Sequence, residues 1–373
     1  MPSVAHHITP NLHTLSSSSV KVTAASVARN VSIAPQVLFL DGLTGTGKTM
    51  MGPILATFER VEVQRFEHIY EHVCALRFLG RVEQDAANVL IRMYSDLACY
   101  NLMIGRETNF RWKDLSGVLS NPGGWRYVAR LFENDGSAVV DRIEKDRPVL
   151  QIASHQVLGI GQPLFDAIGP RLRVIEMVRH PLYLIEHWYS YIQRHGTDAR
   201  DFTVWLRDGD RHLPWFAFGW EQKYVSCNTM DRVIHTIDWL MDRMQLTLAS
   251  LDPTARQQVL VIPFERFVTA PSTYITKIGS LLASRATGAS ERAMRKQKVP
   301  RRLTSDGRDL SIYRRYDWIP PEKSSTEEAE LKKRWDYAAK EASSEGMSVL
   351  DRMCADYERT YLQGVFSSAS LQS

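Results

Sequence analysis

At 373 residues the chain is long enough for two average domains, although an open α/β fold of this length can also form one. A hydrophobic fraction of 44% and a charged fraction of 24% are those of an ordinary globular protein. The net charge of +4 suits an anionic ligand but is too small to indicate nucleic acid as a partner. No apolar run approaches the ~20 residues that a membrane-spanning helix needs. Four widely spaced cysteines resemble neither a metal site nor a disulfide framework, which favours a reducing, cytoplasmic location.

The first 35 residues contain no Asp or Glu and are rich in Ser, Thr, Ala and His. This composition predicts a disordered tail over residues 1–35. Lys21 and Arg29 are its basic residues, and an organelle-targeting peptide is the alternative. Residues 36–373 are predicted to form a single domain with helical additions.

The most informative stretch lies between residues 37 and 55. Residues 37–40 predict a short buried strand, and residues 42–49 match the pattern G-x-x-x-x-G-K-T before an apolar run that can begin a helix. Glycines allow successive backbone N–H groups to surround a phosphate, and the following helix directs its positive end to the same anion. We therefore predict a phosphate-binding loop for a phosphorylated nucleotide. The predicted contacts are Gly42, Thr44, Gly45, Thr46, Gly47, Lys48 and Thr49.

Two further segments predict local structure before residue 149. Residues 82–104 predict an amphipathic helix whose buried stripe includes Met93 and Leu97. Residues 137–140, followed by Asp141, predict a short strand ending in an acid, which is the best candidate for a carboxylate that holds Mg²⁺.

Strands and helices alternate over residues 149–195. Strands are predicted at 149–153 and 173–178, each followed by a helix, and this alternation is typical of a parallel sheet with crossovers. Ligands of such sheets bind beyond the carboxyl ends of the strands. His155 and Arg179 each follow a predicted strand, as the glycine loop does. The sequence thus predicts an α/β fold of the P-loop type in three layers, with a mostly parallel central sheet flanked by helices.

The later segments leave alternatives open. The aromatic-rich stretch 202–224 favours core packing over a substrate wall. The basic stretch 292–315 is either a solvated loop or a flap whose Arg301 and Arg302 bind a phosphate. Residues 258–263 predict a buried strand, and residues 327–362 predict one or two amphipathic helices.

Together these segments resemble the sulfotransferases that use 3′-phosphoadenosine 5′-phosphosulfate. In the glycine loop, residues 46–49 stand where that family usually has Ser-Gly-Thr-Thr. Residues 152–155 are similar to a family strand that ends in Lys-Thr-His. Residues 173–191 are similar to its 3′-phosphate motif, and residues 259–265 to its later strand that ends in an acid.

Three positions differ from the family pattern. His187 stands where the 3′-phosphate motif has a serine, and Ser190 lies three residues further on a similar face of the helix. Ala153 replaces the lysine before Thr-His. Lys48 in the loop is typical of proteins that bind nucleoside triphosphates, and the usual Pro-Lys-Ser lead-in is absent.

The resemblance implies transfer of a sulfuryl group from 3′-phosphoadenosine 5′-phosphosulfate to a hydroxyl or amine of a small molecule or glycan. It implies His155 as the general base, Lys48 at the leaving oxygen, and Arg179 on the 3′-phosphate with His187 or Ser190. No metal is expected.

Two other functions fit parts of the sequence. An ATP- and Mg²⁺-dependent P-loop kinase explains Lys48 and Thr49 better, and would need Asp141, Asp41 or Glu176 to hold the metal. A nucleotide-binding protein with a degenerate active site would explain the altered motif residues. The acceptor and the oligomeric state are left open.

Overall fold

A central five-stranded sheet organises the computed structural model, which describes residues 25–111, 114, 117–307 and 321–363. Every pairing in this sheet is parallel, and the order is β2-β3-β1-β4-β7; β5 and β6 form a separate antiparallel hairpin. The predicted α/β fold with a mostly parallel sheet is confirmed. The strands are β1 Gln36–Asp41, β2 Arg65–Phe66, β3 Val149–Ala153, β4 Leu172–Val178, β5 Trp205–Asp208, β6 Arg211–Pro214 and β7 Val259–Pro263.

Helices cover both faces of the sheet and extend the domain at its C-terminal end. Among the described residues, no helix is both long and apolar enough to cross a membrane. The helices are α1 Lys48–Leu55, α2 His68–Phe78, α3 Gln84–Met103, α4 Trp125–Arg130, α5 Ser137–Asp146, α6 Gln162–Ile168, α7 Leu182–Ile192, α8 Glu221–Ser226, α9 Thr229–Ser250, α10 Pro253–Gln257, α11 Phe264–Thr269, α12 Ser272–Leu282, α13 Ser290–Lys296, α14 Glu327–Ala339 and α15 Ser344–Tyr357.

The core has two parts because side chains alternate across the sheet. In β1, Val37 and Phe39 belong to the larger cluster, which also contains residues of α2, α3, α6, α7 and α9. Leu38 and Leu40 face the other way, into the cluster formed with α1, α11 and α12. A strand buried on both faces is a continuous apolar run, which is why residues 37–40 predict it correctly.

The strand order determines where a ligand can bind. After β1 the chain forms β2 and β3 on one side of it, and then crosses to form β4 and β7 on the other side. The carboxyl ends of β3, β1 and β4 therefore meet at the point where the direction of winding reverses, the usual binding crevice of open α/β sheets.

The segment that precedes β1, as far as the structure describes it, lies against helix α3. Asp96, which is 3% exposed, accepts hydrogen bonds from the backbone N–H groups of Ile33 and Ala34, both at 3.0 Å. It also pairs with Arg29 at 2.6 Å. These contacts anchor the segment that leads into β1. The disordered tail was predicted for residues 1–35, of which residues 1–24 lie outside the described part of the chain.

Two local predictions were wrong. Residues 137–140 begin helix α5 rather than a strand, and Asp141 lies exposed on that helix. In α3 the predicted stripe is wrong in part: Met93 and Leu97 are about half exposed and Ser95 and Asp96 are buried, whereas Leu102 of the same stripe is buried as predicted. The helical period was right, but the buried face carries polar groups that bond to Tyr70 and to the N-terminal segment.

Candidate functional site

The glycine loop joins β1 to α1, and three of its glycines have a positive φ. Gly42, Gly45 and Gly47 have φ of 135°, 97° and 97°, a region that L side chains rarely adopt. Two of them also have no room for a side chain, because a Cβ would lie 2.3 Å from a backbone oxygen at Gly42 and 2.4 Å from the Phe264 ring at Gly47. The loop therefore requires glycine at all three positions for its backbone conformation, and at Gly42 and Gly47 for packing as well.

Lys48 is the first residue of α1 and is 5% exposed. Its Nζ donates to the carbonyl oxygens of Gly42 at 2.5 Å and Leu43 at 2.9 Å. Burial lowers the pKa of Lys48 to about 8, although Asp41 and Glu176 favour its charged form. The ammonium is thus held within the loop by the loop's own carbonyl groups.

Two buried carboxyl groups lie beneath the loop on neighbouring strands, Asp41 in β1 opposite Glu176 in β4. Burial raises both pKa values, and Asp41 raises that of Glu176 further. Asp41 accepts hydrogen bonds on both oxygens, from Ser154 Oγ at 2.9 Å and from the Leu158 N–H at 2.7 Å. Through these hydrogen bonds Asp41 fixes the position of the segment that follows β3.

Helix α7 and the turn before it hold the tip of the loop. Trp188 Nε1 donates to the Thr44 carbonyl oxygen at 2.9 Å, and Arg179 Nη1 donates to the Gly45 carbonyl oxygen at 2.8 Å. A Cβ on Gly45 would lie 3.5 Å from the His187 ring. The structure thus brings Arg179 and His187 to the same part of the glycine loop.

Arg179 is 8% exposed and stacks between two aromatic rings. Its guanidinium carbon lies 4.3 Å from the centre of the Phe264 ring and 5.0 Å from that of Tyr183. The guanidinium carbon of Arg301 lies 5.4 Å from the centre of the Phe264 ring, and that of Arg334 lies 4.3 Å from the centre of the Tyr183 ring. Within the described part of the chain, no carboxylate pairs with Arg179, and its buried Nε has no hydrogen-bond partner.

A cavity of about 470 Å³ connects the loop with the end of β3. Its wall includes Thr44, His155 and His187, so the glycine loop, the predicted base and helix α7 all border one space. Aromatic and charged side chains form much of the remaining wall. They include His68, Glu71, His72, Tyr191, Arg194, Arg200, Asp201, Phe202 and Trp215.

His155 is oriented by Glu71 of α2. One carboxylate oxygen of Glu71 lies 3.0 Å from both the backbone nitrogen and Nδ1 of His155, and the other lies 3.4 Å from Nδ1 of His68. Burial opposes ionisation of Glu71, but the two histidines outweigh it and lower its pKa to about 2. The hydrogen bond to Glu71 raises the pKa of His68. His155 is thus held through Nδ1, which leaves Nε2 as its other ring nitrogen.

Four other residues predicted for the site are not part of the cavity wall. Ser190 is half-buried on α7 but is not part of the cavity wall, where Tyr191 and Arg194 lie instead. Arg301 is 9% exposed and donates to carbonyl oxygens of its own segment, at Gln297, Lys298 and Thr304. Arg302 is exposed and donates to the Ser325 carbonyl. Thr49 is half-buried in the first turn of α1.

The sequence did not single out Glu71, Phe264, Tyr183 or Arg334. Glu71 had a weak signal, because His68 and Glu71 are three residues apart and therefore share a face of α2. The stack of rings and guanidinium groups joins α7, α11, α14 and the segment after α13, and no pattern along the sequence indicates that these elements meet.

The chain was compared with known proteins. No protein-family model matches it, and no curated protein matches it in sequence. Its structure is similar to the sulfotransferase domain from the curacin biosynthetic pathway, at 12% identity and a TM-score of 0.44, over 87% of this chain and 98% of that one. It is also similar to the sulfotransferase domain of the Synechococcus PCC 7002 olefin synthase, at 10% identity and a TM-score of 0.41, over 89% and 98%. A Mycobacterium avium sulfotransferase matches at 12% identity and a TM-score of 0.38, over 89% and 78%.

Proposed function

We propose that the protein is a sulfotransferase that uses 3′-phosphoadenosine 5′-phosphosulfate as its donor. The observation that carries this proposal is Arg179, a buried guanidinium that bonds to the glycine loop and has no carboxylate partner among the described residues. A buried cation is costly unless it is compensated, and a bound phosphate would compensate it. Lys48 and the loop N–H groups would bind the 5′ side of the donor, and Arg179 its 3′-phosphate, with His187 or Ser190 as further contacts.

In the proposed reaction an acceptor oxygen or nitrogen attacks the sulfur of the donor. His155 takes the acceptor proton on Nε2 while Glu71 stabilises the imidazolium through Nδ1. The bond between sulfur and the bridging oxygen of the 5′-phosphate breaks, and adenosine 3′,5′-bisphosphate leaves. Lys48 and the loop amides stabilise the charge that develops on this oxygen. The acceptor would enter the cavity that His155 borders, which suits a small molecule or the end of a glycan.

An ATP- and Mg²⁺-dependent kinase is the second candidate, favoured by Lys48 and Thr49. The positions of its candidate metal-holding acids argue against it. Asp141 lies on an exposed helix, Asp41 uses both oxygens for hydrogen bonds beneath the loop, and the raised pKa of Glu176 favours its neutral form. The two neighbours of β1 in the sheet are β4 and β3, and the residue that follows β3 is Ser154 rather than an acid.

Calorimetric titration with adenosine 3′,5′-bisphosphate and with ATP, each with and without Mg²⁺, tests the proposal. We expect metal-independent binding of the bisphosphate. An acceptor screen should then detect sulfuryl transfer by the wild-type protein. The His155→Ala variant should still bind the nucleotide but should not catalyse the transfer. Binding of ATP alone and only with Mg²⁺ would favour the kinase. Bisphosphate binding without transfer to any acceptor would favour a nucleotide-binding protein with a degenerate site.

A further inference from the structure

His68, Glu71 and His155 form a cluster whose geometry goes beyond that of a general base and its partner. Each residue offers one donor atom, and these atoms all lie within 4.8 Å of one another. His68 and Glu71 lie one turn apart on α2, and His155 follows β3, so the cluster joins two elements that are far apart in the sequence. The rings of His68 and His155 lie nearly parallel, at an interplanar angle of 11°.

Two of the distances between donor atoms are close to those of a tetrahedral metal site. Nδ1 of His155 lies 3.0 Å from one Glu71 oxygen, and Nδ1 of His68 lies 3.4 Å from the other. Metal–ligand bonds of about 2.0 Å in tetrahedral geometry separate the ligand atoms by about 3.3 Å. All three donor atoms lie within 4.8 Å of one another, so an inward shift of the side chains would let one metal ion bind them in place of the two shared protons.

The chemistry of the donors selects the kind of ion. Two imidazole nitrogens and one carboxylate are a donor set that Zn²⁺ accepts where one position stays open. Mg²⁺ and Ca²⁺ prefer oxygen ligands, so this set disfavours them. We propose that His68, Glu71 and His155 form a site for a divalent transition-metal ion of the Zn²⁺ type, with its open position towards the cavity.

The cavity supports this proposal because all three residues border it and none is fully buried. Their side chains are 42%, 21% and 28% exposed, so an ion can reach them and water or a ligand can complete its coordination. His72 lies one turn after His68 on the same helix and borders the same cavity, but it is outside the cluster and bonds to the Phe202 carbonyl oxygen at 2.7 Å. It therefore provides a matched comparison.

Metal binding and the proposed catalytic role of His155 exclude each other. An ion on Nδ1 of His155 would displace the hydrogen bond to Glu71 and would withdraw electron density from the ring. Zn²⁺ would then act as an inhibitor of transfer. The metal site itself does not depend on the proposed function, and binding can be measured without any acceptor or donor.

The experiment is a titration of chelator-treated full-length protein with Zn²⁺ by calorimetry and with Co²⁺ by visible absorption. One ion per chain is expected, with affinity at least about tenfold lower in His68→Ala and Glu71→Gln and unchanged in His72→Ala. Mg²⁺ should give no binding at this site. Thermal melting of each variant would identify any loss of folding. Absence of one-to-one binding in the wild-type protein, equal binding in folded His68→Ala and Glu71→Gln, or equal loss in His72→Ala would each overturn the proposal.

Discussion

One oxygen of Glu71 lies 3.0 Å from both the backbone nitrogen and the ring Nδ1 of His155. The two contacts fix the residue at its backbone and at its ring, so both its position and its rotation depend on one side chain of another element. A histidine that must accept a proton on Nε2 benefits from this arrangement, because the carboxylate fixes the tautomer and stabilises the imidazolium.

Glu71→Gln should lower kcat by about 10- to 100-fold and leave the KM for the donor nearly unchanged. The amide keeps the shape of the side chain but loses the negative charge that stabilises the imidazolium. Steady-state kinetics with the sulfate donor measure this, and Glu71→Asp should recover part of the lost rate. Glu67→Gln is the control, since Glu67 precedes the same helix but pairs with Arg65. A similar loss in both Gln variants would mean that Glu71 has only a structural role.

Arg179→Ala should lower the affinity for adenosine 3′,5′-bisphosphate by about 10- to 100-fold, which corresponds to the loss of a charge-assisted hydrogen bond to phosphate. The affinity for ATP should fall less. Arg179→Lys should recover little, because an ammonium lacks the planar fork and stacks less well on the two rings. Calorimetry with both nucleotides makes the comparison. Arg352→Ala, which removes an arginine paired with Asp238 on the surface, serves as the control. Equal loss of both nucleotides would contradict a 3′-phosphate contact.

The affinity for adenosine 3′,5′-bisphosphate should fall as the pH rises through about 8. Burial lowers the pKa of Lys48 to about 8, and phosphate binds the protonated form, so deprotonation above this pH removes the charged partner. Between pH 8 and pH 9 the loss approaches about tenfold at most. Calorimetry at several pH values measures it. Lys48→Met should bind weakly with no such dependence, and a wild-type affinity that is constant to pH 9 would contradict this assignment.

Gly47→Ala should destabilise the protein more than Gly219→Ala. Both glycines have similar φ, 97° and 90°, so both alanines would carry backbone strain of about 1–2 kcal/mol. At Gly219 the added Cβ meets no atom within 4 Å, whereas at Gly47 it would lie 2.4 Å from the Phe264 ring, which adds about 1–3 kcal/mol. Urea denaturation followed by circular dichroism gives the difference. Equal free energies of unfolding would show that the ring moves aside without cost.

Most of the sheet was predictable because its longer strands are largely buried, whereas the short edge strand β2 is partly exposed and was not predicted. Residues 37–40, 149–153 and 258–263 are short apolar runs, and each coincides with a strand to within one or two residues. Placement of polar residues directly after such runs was enough to bring the glycine loop, His155 and Arg179 to one edge of the sheet. The strand predicted before Asp141 was wrong because four residues such as Ser137–Val140 fit a strand and a helix equally well. Only the following Ile143, which lies on the buried face, favours the helix.

The partners of the site residues could not be predicted in the same way. Glu71 and His155 are 84 residues apart, and Arg179 and Gly45 are 134 apart. A sequence pattern reports the face of an element, but not which other element packs on that face. The face of α3 was misjudged for a related reason, since the partner of Asp96 is the N-terminal segment rather than an apolar surface.

The walls of the cavity come from different parts of the chain, and this has an evolutionary consequence. The glycine loop and α7 form one block, joined by the bonds of Trp188 and Arg179 to the loop carbonyls. The opposite wall belongs to α2 and to the segment around Phe202 near the β5–β6 hairpin. Under the proposed function, substitutions in that wall would change which acceptor is taken while the nucleotide contacts stay intact. If the proposed donor and transfer are correct, proteins with this fold would diversify their acceptors through changes in a short surface segment, while selection maintains the contacts to one donor.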